Sequence, residues 1–108
     1  MEKREVYERE HVKLQEIFTD VDPSKSKLVE GLIEEAAFLR AENGVLRKTL
    51  VKTGMVKIHP SLPELQKPVE AARQYLKNLN SYAVVIKTLN GILQKNEPDY
   101  DDELDDFE

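Results

Sequence analysis

Reactive chemistry in this chain has few residues to draw on. Cysteine is absent, and the two histidines, His11 and His59, stand far apart and outside any HExxH or Cys/His pattern that holds zinc. The acid pair Glu34-Glu35 lies in a charged stretch and reads as a solvated helix face. His59 directly precedes Pro60 and reads as a residue that packs or caps a connector. There is no GxxxxGK[ST] phosphate loop, and no Ser or Thr stands in a nucleophile elbow. The expectation is a non-enzyme without catalytic residues, metal ligands or cofactors, whose function resides in its surfaces.

The residues that could recognise a partner are charged. From Asn43 to Leu62 there is no acid, while Arg47, Lys48, Lys52 and Lys57 fall in that window; Arg40 lies two turns before Arg47 on the same helical face. Two readings are open. Repeated around a ring of copies, these cations form a band that attracts double-stranded DNA through counterion release. In a single chain they are solvated charges at a helix end, favoured by the macrodipole. Lys3, Arg4 and Arg9 are a weaker candidate, because Glu2, Glu5, Glu8 and Glu10 interleave with them. No helix-turn-helix of normal proportions is legible, so sequence-specific base reading is not expected.

Charge is unevenly divided. The net charge is −5, but residues 97–108 hold eight acids and no Lys or Arg, leaving 13 acids against 16 basic residues elsewhere. A segment so acidic does not fold alone and is expected to be disordered. Within it Tyr100, Leu104 and Phe107 recur at four and three, a spacing for a short amphipathic turn that docks in a basic groove. Alternatively the acids keep an assembly soluble, or screen its basic surface from non-specific DNA.

Three helical stretches must position these residues. The first runs from about Glu2 to Phe18 and ends in the Asp- and Pro-containing turn Thr19–Ser24. The second runs from about Ser26, with Ser24 or Ser26 as its cap, to Lys52, and Gly54 closes it. Its apolar stripe is Leu28, Leu32, Ala36, Leu39, Leu46 and Leu50, interrupted by Asn43, which either fixes register or oligomer state, or points to solvent at the seam's edge. Met55 to Pro63 is a connector with at most one short strand. The third helix starts by Pro68 and continues to about Lys95, with Tyr75, Leu79, Tyr82, Ile86, Leu89 and Leu93 as a heptad seam. Gly31, Gly44 and Gly91 read either as tolerated weak points or as places of close helix approach. The division is an N-terminal helix and turn (1–22), a hairpin oligomerisation core (23–96) and an acidic tail (97–108), in an all-α protein.

Self-association follows from the width of the apolar surface. Residues Val69 to Ile92 spread apolar side chains over about 220° of the third helix, where a surface helix of a monomer needs little more than about 100°. The second helix adds Phe38, Ala41 and Val45 opposite its leucine stripe. These three, with Tyr75, Leu79, Tyr82, Ile86, Leu89 and Leu93, are the expected contacts between copies unless the first helix covers them. No signal peptide and no bilayer-spanning stretch is legible, so the expected location is the cytoplasm.

From Leu28 to Leu93 the chain resembles small subunits of bacteriophage terminases. The resemblance rests on Leu32–Arg40 (LIEEAAFLR), on Lys57-Ile58-His59-Pro60, and on the Tyr75/Tyr82 helix that ends Thr88-Leu89-Asn90-Gly91-Ile92-Leu93. It implies a long helical hairpin that builds a ring, recognises viral DNA in the host cytoplasm, and recruits and regulates a separate large subunit carrying ATPase and nuclease. Where many relatives continue with a Leu-Gly-Leu-Thr-like segment, this chain turns to Gln-Lys-Asn and the acid run, so no C-terminal contact carries over. The competing reading is a helical adaptor or assembly chaperone that binds protein and no DNA.

Overall fold

The computed structural model describes residues 2–94; Met1 and residues 95–108, with Tyr100, Leu104 and Phe107, lie outside the described residues. Helix α1 spans Lys3–Ile17, a run without Gly or Pro. Thr19 ends it, its hydroxyl donating to the carbonyls of Gln15 and Glu16. A 3-10 turn, Pro23–Lys25, follows. The Asp22 carboxylate accepts from the Ser24 N–H and hydroxyl at 3.1 and 3.0 Å, and these bonds hold its pKa below the ordinary aspartate value. The expected serine cap is thus replaced. Asp22 caps the preceding turn, Ser24 donates to it, and helix α2 begins without a side-chain cap.

Helix α2 spans Ser26–Thr53 and ends at Gly54, whose φ of 74° suits a residue without Cβ. The connector, Met55 to Pro63, holds one short strand, as expected, and the partner strand lies beyond it, where the sequence reading had no strand. Strand β1 (Val56–Ile58) pairs antiparallel with β2 (Gln66–Pro68) in the register Val56 to Pro68, Lys57 to Lys67 and Ile58 to Gln66. His59 holds the intervening loop: its Nδ1 accepts the N–H groups of Ser61 and Leu62, both at 3.1 Å, and its own N–H donates to Leu65. The capping reading of His59 fits. Pro68 closes the ribbon instead of opening a helix, and helix α3 runs Glu70–Gln94.

Helices α1 and α3 both pack on α2. Lys3 is ion-paired with Glu42 and His11 with Glu30, so α1 runs antiparallel to the first part of α2. The core lies where the end of α1, the start of α2 and the end of α3 meet: Leu14, Phe18, Val29, Ile33, Ala36 and Leu89, flanked by Val85, Ile86, Ile92 and Leu93. Because α2 has neighbours on two sides, it buries two stripes. Leu32, Ala36, Leu39, Asn43, Leu46 and Leu50 form the expected one, each buried or half-buried; Ile33, Ala37 and Ala41 form the other, on the flank facing His11 and Val6. Leu28, expected on the first stripe, is 58% exposed. Within the single chain the glycines mark no close helix approach: a Cβ on Gly31 or Gly91 would meet nothing within 4 Å, and one on Gly44 would make an ordinary contact with Val6.

The result is a slab, 61 × 40 × 16 Å, with a radius of gyration of 19.0 Å. A compact domain of this length would have about 13 Å. Beyond the start of α1, the hairpin continues as two helices and a ribbon. Among the described residues no helix is long and apolar enough to cross a membrane.

Candidate nucleic-acid interface

Two of the five candidate cations share one site. Arg40 and Arg47 are seven residues apart on α2, so they fall about 20° from one another around the helix. Facing them on α3 are Tyr82 and Tyr75, also seven apart and in the opposite order. The Arg40 guanidinium lies 5.7 Å from the centre of the Tyr82 ring, within cation–π range. Arg47 donates from Nη2 to the Tyr75 hydroxyl at 3.2 Å, while its guanidinium carbon stands 6.0 Å from the ring centre. That is the outer limit of a face contact, so the hydrogen bond positions Arg47. Asn43 sets the register between the pairs. It is buried, and its Nδ2 donates to the Tyr75 carbonyl at 3.1 Å, which favours the register reading over the solvent one. Its Oδ1 is buried without a partner. A pocket of about 150 Å³ opens here, walled by Val6, Leu39 and Leu79 besides these polar residues.

One layer deeper, Tyr82 donates its hydroxyl to Glu10, which is buried at 5% exposure and also receives Lys13 at 2.7 Å. Burial first, then the bond to Glu10 and its negative charge, push the Tyr82 pKa up to about 12 against the pull of Arg40. The folded value exceeds the unfolded value of about 10, so the contribution of Tyr82 to stability is complete below pH 10 and is lost between about pH 10 and 12. Tyr82→Phe is expected to lower stability at neutral pH by about 1 kcal/mol, since it strands one acceptor on a buried carboxylate. Denaturant titrations of both proteins from pH 8 to pH 12 check this: the steeper alkaline loss of the parent should be missing in the variant.

The other cations lie elsewhere. Lys48 and Lys52 are exposed on α2 and turn about 100° and 140° away from Arg47. Lys57 stands on the ribbon directly opposite Lys67, beside a groove of about 400 Å³ lined by Ile58, His59 and Leu65. Like charges placed opposite one another on paired strands repel, and an anion would relieve them. Lys67 escaped the sequence reading because its partnership with Lys57 depends on a strand pairing that no turn motif announces.

The candidate contact residues divide similarly. Phe38 and Val45 are 52% and 43% exposed on the outer face of α2, and Leu79 is 41% exposed on α3. Ala41 and Leu89 are fully buried in the single chain, at 2% and 0%, so they are core and not free surface. Tyr75, Tyr82, Ile86 and Leu93 are half-buried, turned toward α2 and the core. Apolar side chains that the seam did not include are open instead: Val51, Leu76 and Val84 on the helices, and Met55, Val56, Ile58, Leu62 and Leu65 on and around the ribbon.

One convergence was invisible in the spacing. His11, Glu30 and Glu34 place a donor atom each within 4.8 Å of one another, but His11 Nε2 already meets Glu30 at 2.9 Å and the set serves as a tie between α1 and α2. Comparison with protein-family models, with curated proteins and with solved structures finds no match to this chain.

Proposed function

We propose that this chain is a non-catalytic adaptor of viral DNA packaging, a terminase small subunit. It assembles with copies of itself into a ring, binds double-stranded viral DNA, and recruits and regulates the large ATPase/nuclease subunit. The observation that carries the reading is the unsheltered apolar surface. Of the 25 residues of α3 only Ala72 and Leu89 are buried, and Leu76, Leu79 and Val84 stay open alongside Phe38 and Val45 of α2. Helix α1 covers the Ala37–Ala41 flank and leaves these faces uncovered. Two different faces on one slab suit a head-to-tail contact, which closes into a ring when its rotation permits. The Arg40/Arg47 site and the Lys57/Lys67 ribbon then recur around the ring as a band of cations for phosphates.

Arg40→Glu with Arg47→Glu is expected to weaken binding to a short DNA duplex at low salt by about tenfold or more, and to flatten its salt dependence. Fluorescence anisotropy across a salt series measures both. Lys57→Glu with Lys67→Glu should act in the same direction from the ribbon. Duplex affinity and salt slope unmoved by either pair would refute this placement of DNA. The alternative is a helical adaptor or chaperone for another protein, favoured by the apolar ribbon groove at Ile58 and Leu65. It predicts no duplex binding at any salt.

A further inference from the structure

A groove of about 660 Å³ runs along α3 from Gln94 to Leu79, lined by Ala83 and Ile86 between Asn80, Lys87 and Asn90. It shares Leu79 and Tyr82 with the pocket between the helices. The two form one track, which starts at Gln94, where the described chain stops, and ends between Arg40 and Arg47. We propose that this track is the seat of the acidic segment 97–108 of the same chain, which competes there with DNA for Arg40 and Arg47.

Reach permits it. From Gln94 back to Tyr75 is 19 residues of helix, about 29 Å. The 14 residues after Gln94 span up to about 46 Å when extended, and Asp101-Asp102-Glu103 come level with the stretch between Tyr82 and Tyr75. Charge favours it as well. The segment has eight acids and no base, and the track offers Lys87 along its length and two guanidinium groups at its end. Of its apolar residues, Tyr100 comes nearly level with Ala83 and gives that end of the Ala83/Ile86 wall cover.

The arginines define the chemistry of the occupant. Asn43 is spent on the helix contact: it is 7% exposed, its Nδ2 donates to the Tyr75 carbonyl, and its Oδ1 is buried. The exposed guanidinium groups of Arg40 and Arg47 are left to receive carboxylates, and a peptide acid meets them with charge-assisted hydrogen bonds. DNA phosphates compete for the same exposed arginine heads.

The docking stands apart from the packaging reading; the competition rests on it. Because cysteine is absent, Asp102→Cys carries a nitroxide label in the full chain at one site. At low salt the amide signals of Tyr75, Leu79 and Tyr82 are expected to lose most of their intensity. They should recover in Arg40→Glu/Arg47→Glu, and at about 1 M salt, where the Debye length falls to about 3 Å. Undiminished signals at low salt overturn the docking, as does broadening that survives the charge reversal. Mixing labelled chains with isotopically marked, unlabelled ones tests the origin of the segment, and broadening found only between copies overturns the intrachain seat. Adding a DNA duplex should restore the signals. Broadening that persists when the duplex is demonstrably bound overturns the competition. If the duplex does not bind at all, the DNA reading falls and the docking result stands. In the same terms, Asp101→Asn/Asp102→Asn/Glu103→Gln should tighten duplex binding by about tenfold.

Discussion

Light scattering after gel filtration is expected to return a mass several times that of the 12.5 kDa chain, and Phe38→Asp with Val45→Asp is expected to reduce it to one chain. Both positions lie on the outer face of α2, at 52% and 43% exposure, so aspartate there meets water in the isolated chain and costs the fold little. Covered by a neighbour, each side chain contributes about 1.5–3 kcal/mol of burial. Its aspartate replacement forfeits that and strands a charge in an apolar contact, a penalty of several kcal/mol per site. Summed over two sites, the change exceeds the margin of most non-obligate contacts. Circular dichroism should show the helices retained, which separates dissociation from unfolding. A parent mass of one chain at micromolar concentration sinks the ring outright. A variant mass equal to the parent's moves the contact to Leu76, Leu79 and Val84 or to the ribbon.

The second large effect is on stability. Leu89→Ala, placed in the Phe38→Asp/Val45→Asp background so that assembly does not mask the result, is expected to cost about 2–5 kcal/mol. For a domain of this size that is a fall in Tm of more than about 10 °C. Leu89 is completely buried among Leu14, Phe18, Val29, Ile33 and Ala36, and no neighbouring group can swing in to fill the space without leaving its own place. Leu28→Ala is the control. It removes the same atoms from a residue 58% exposed, and should cost under about 0.5 kcal/mol. Denaturant melts of the two variants decide between the seam as a contact between copies and the seam as interior. Equal, small losses would return Leu89 to the surface.

The helices and their lengths were legible from local pattern because their causes are local. Apolar spacing at three and four, the Thr19–Ser24 turn and Gly54 act within a few residues, and the ends that fall in the described residues agree with the structure to within two residues, the Pro68 start included. That the third helix carries more apolar surface than one neighbour can cover was also in the residues, since arc width depends on helix geometry alone. The segment Val56–Pro68 was not legible in this way. Its strands pair through a loop held by the His59 imidazole, and backbone pairing across such a loop leaves no periodic trace.

What only the tertiary structure decided is which neighbour each face meets. Periodicity shows that Leu28 and Val29 lie about 100° apart; it does not show that α1 covers one flank of α2 and leaves the other open. That choice buried Val29, Ile33, Ala37 and Ala41, and exposed Leu28, Phe38 and Val45. Glu10 stands among interleaved charges in the sequence, yet the fold buries it where Tyr82, 72 residues away, reaches its carboxylate. The Arg40–Tyr82 and Arg47–Tyr75 pairs exist only in one antiparallel register of α2 and α3, held by the bond from Asn43 to the Tyr75 carbonyl. Charge and residue type are properties of the chain, but proximity between distant residues belongs to the packing, and the candidate site is made of proximity.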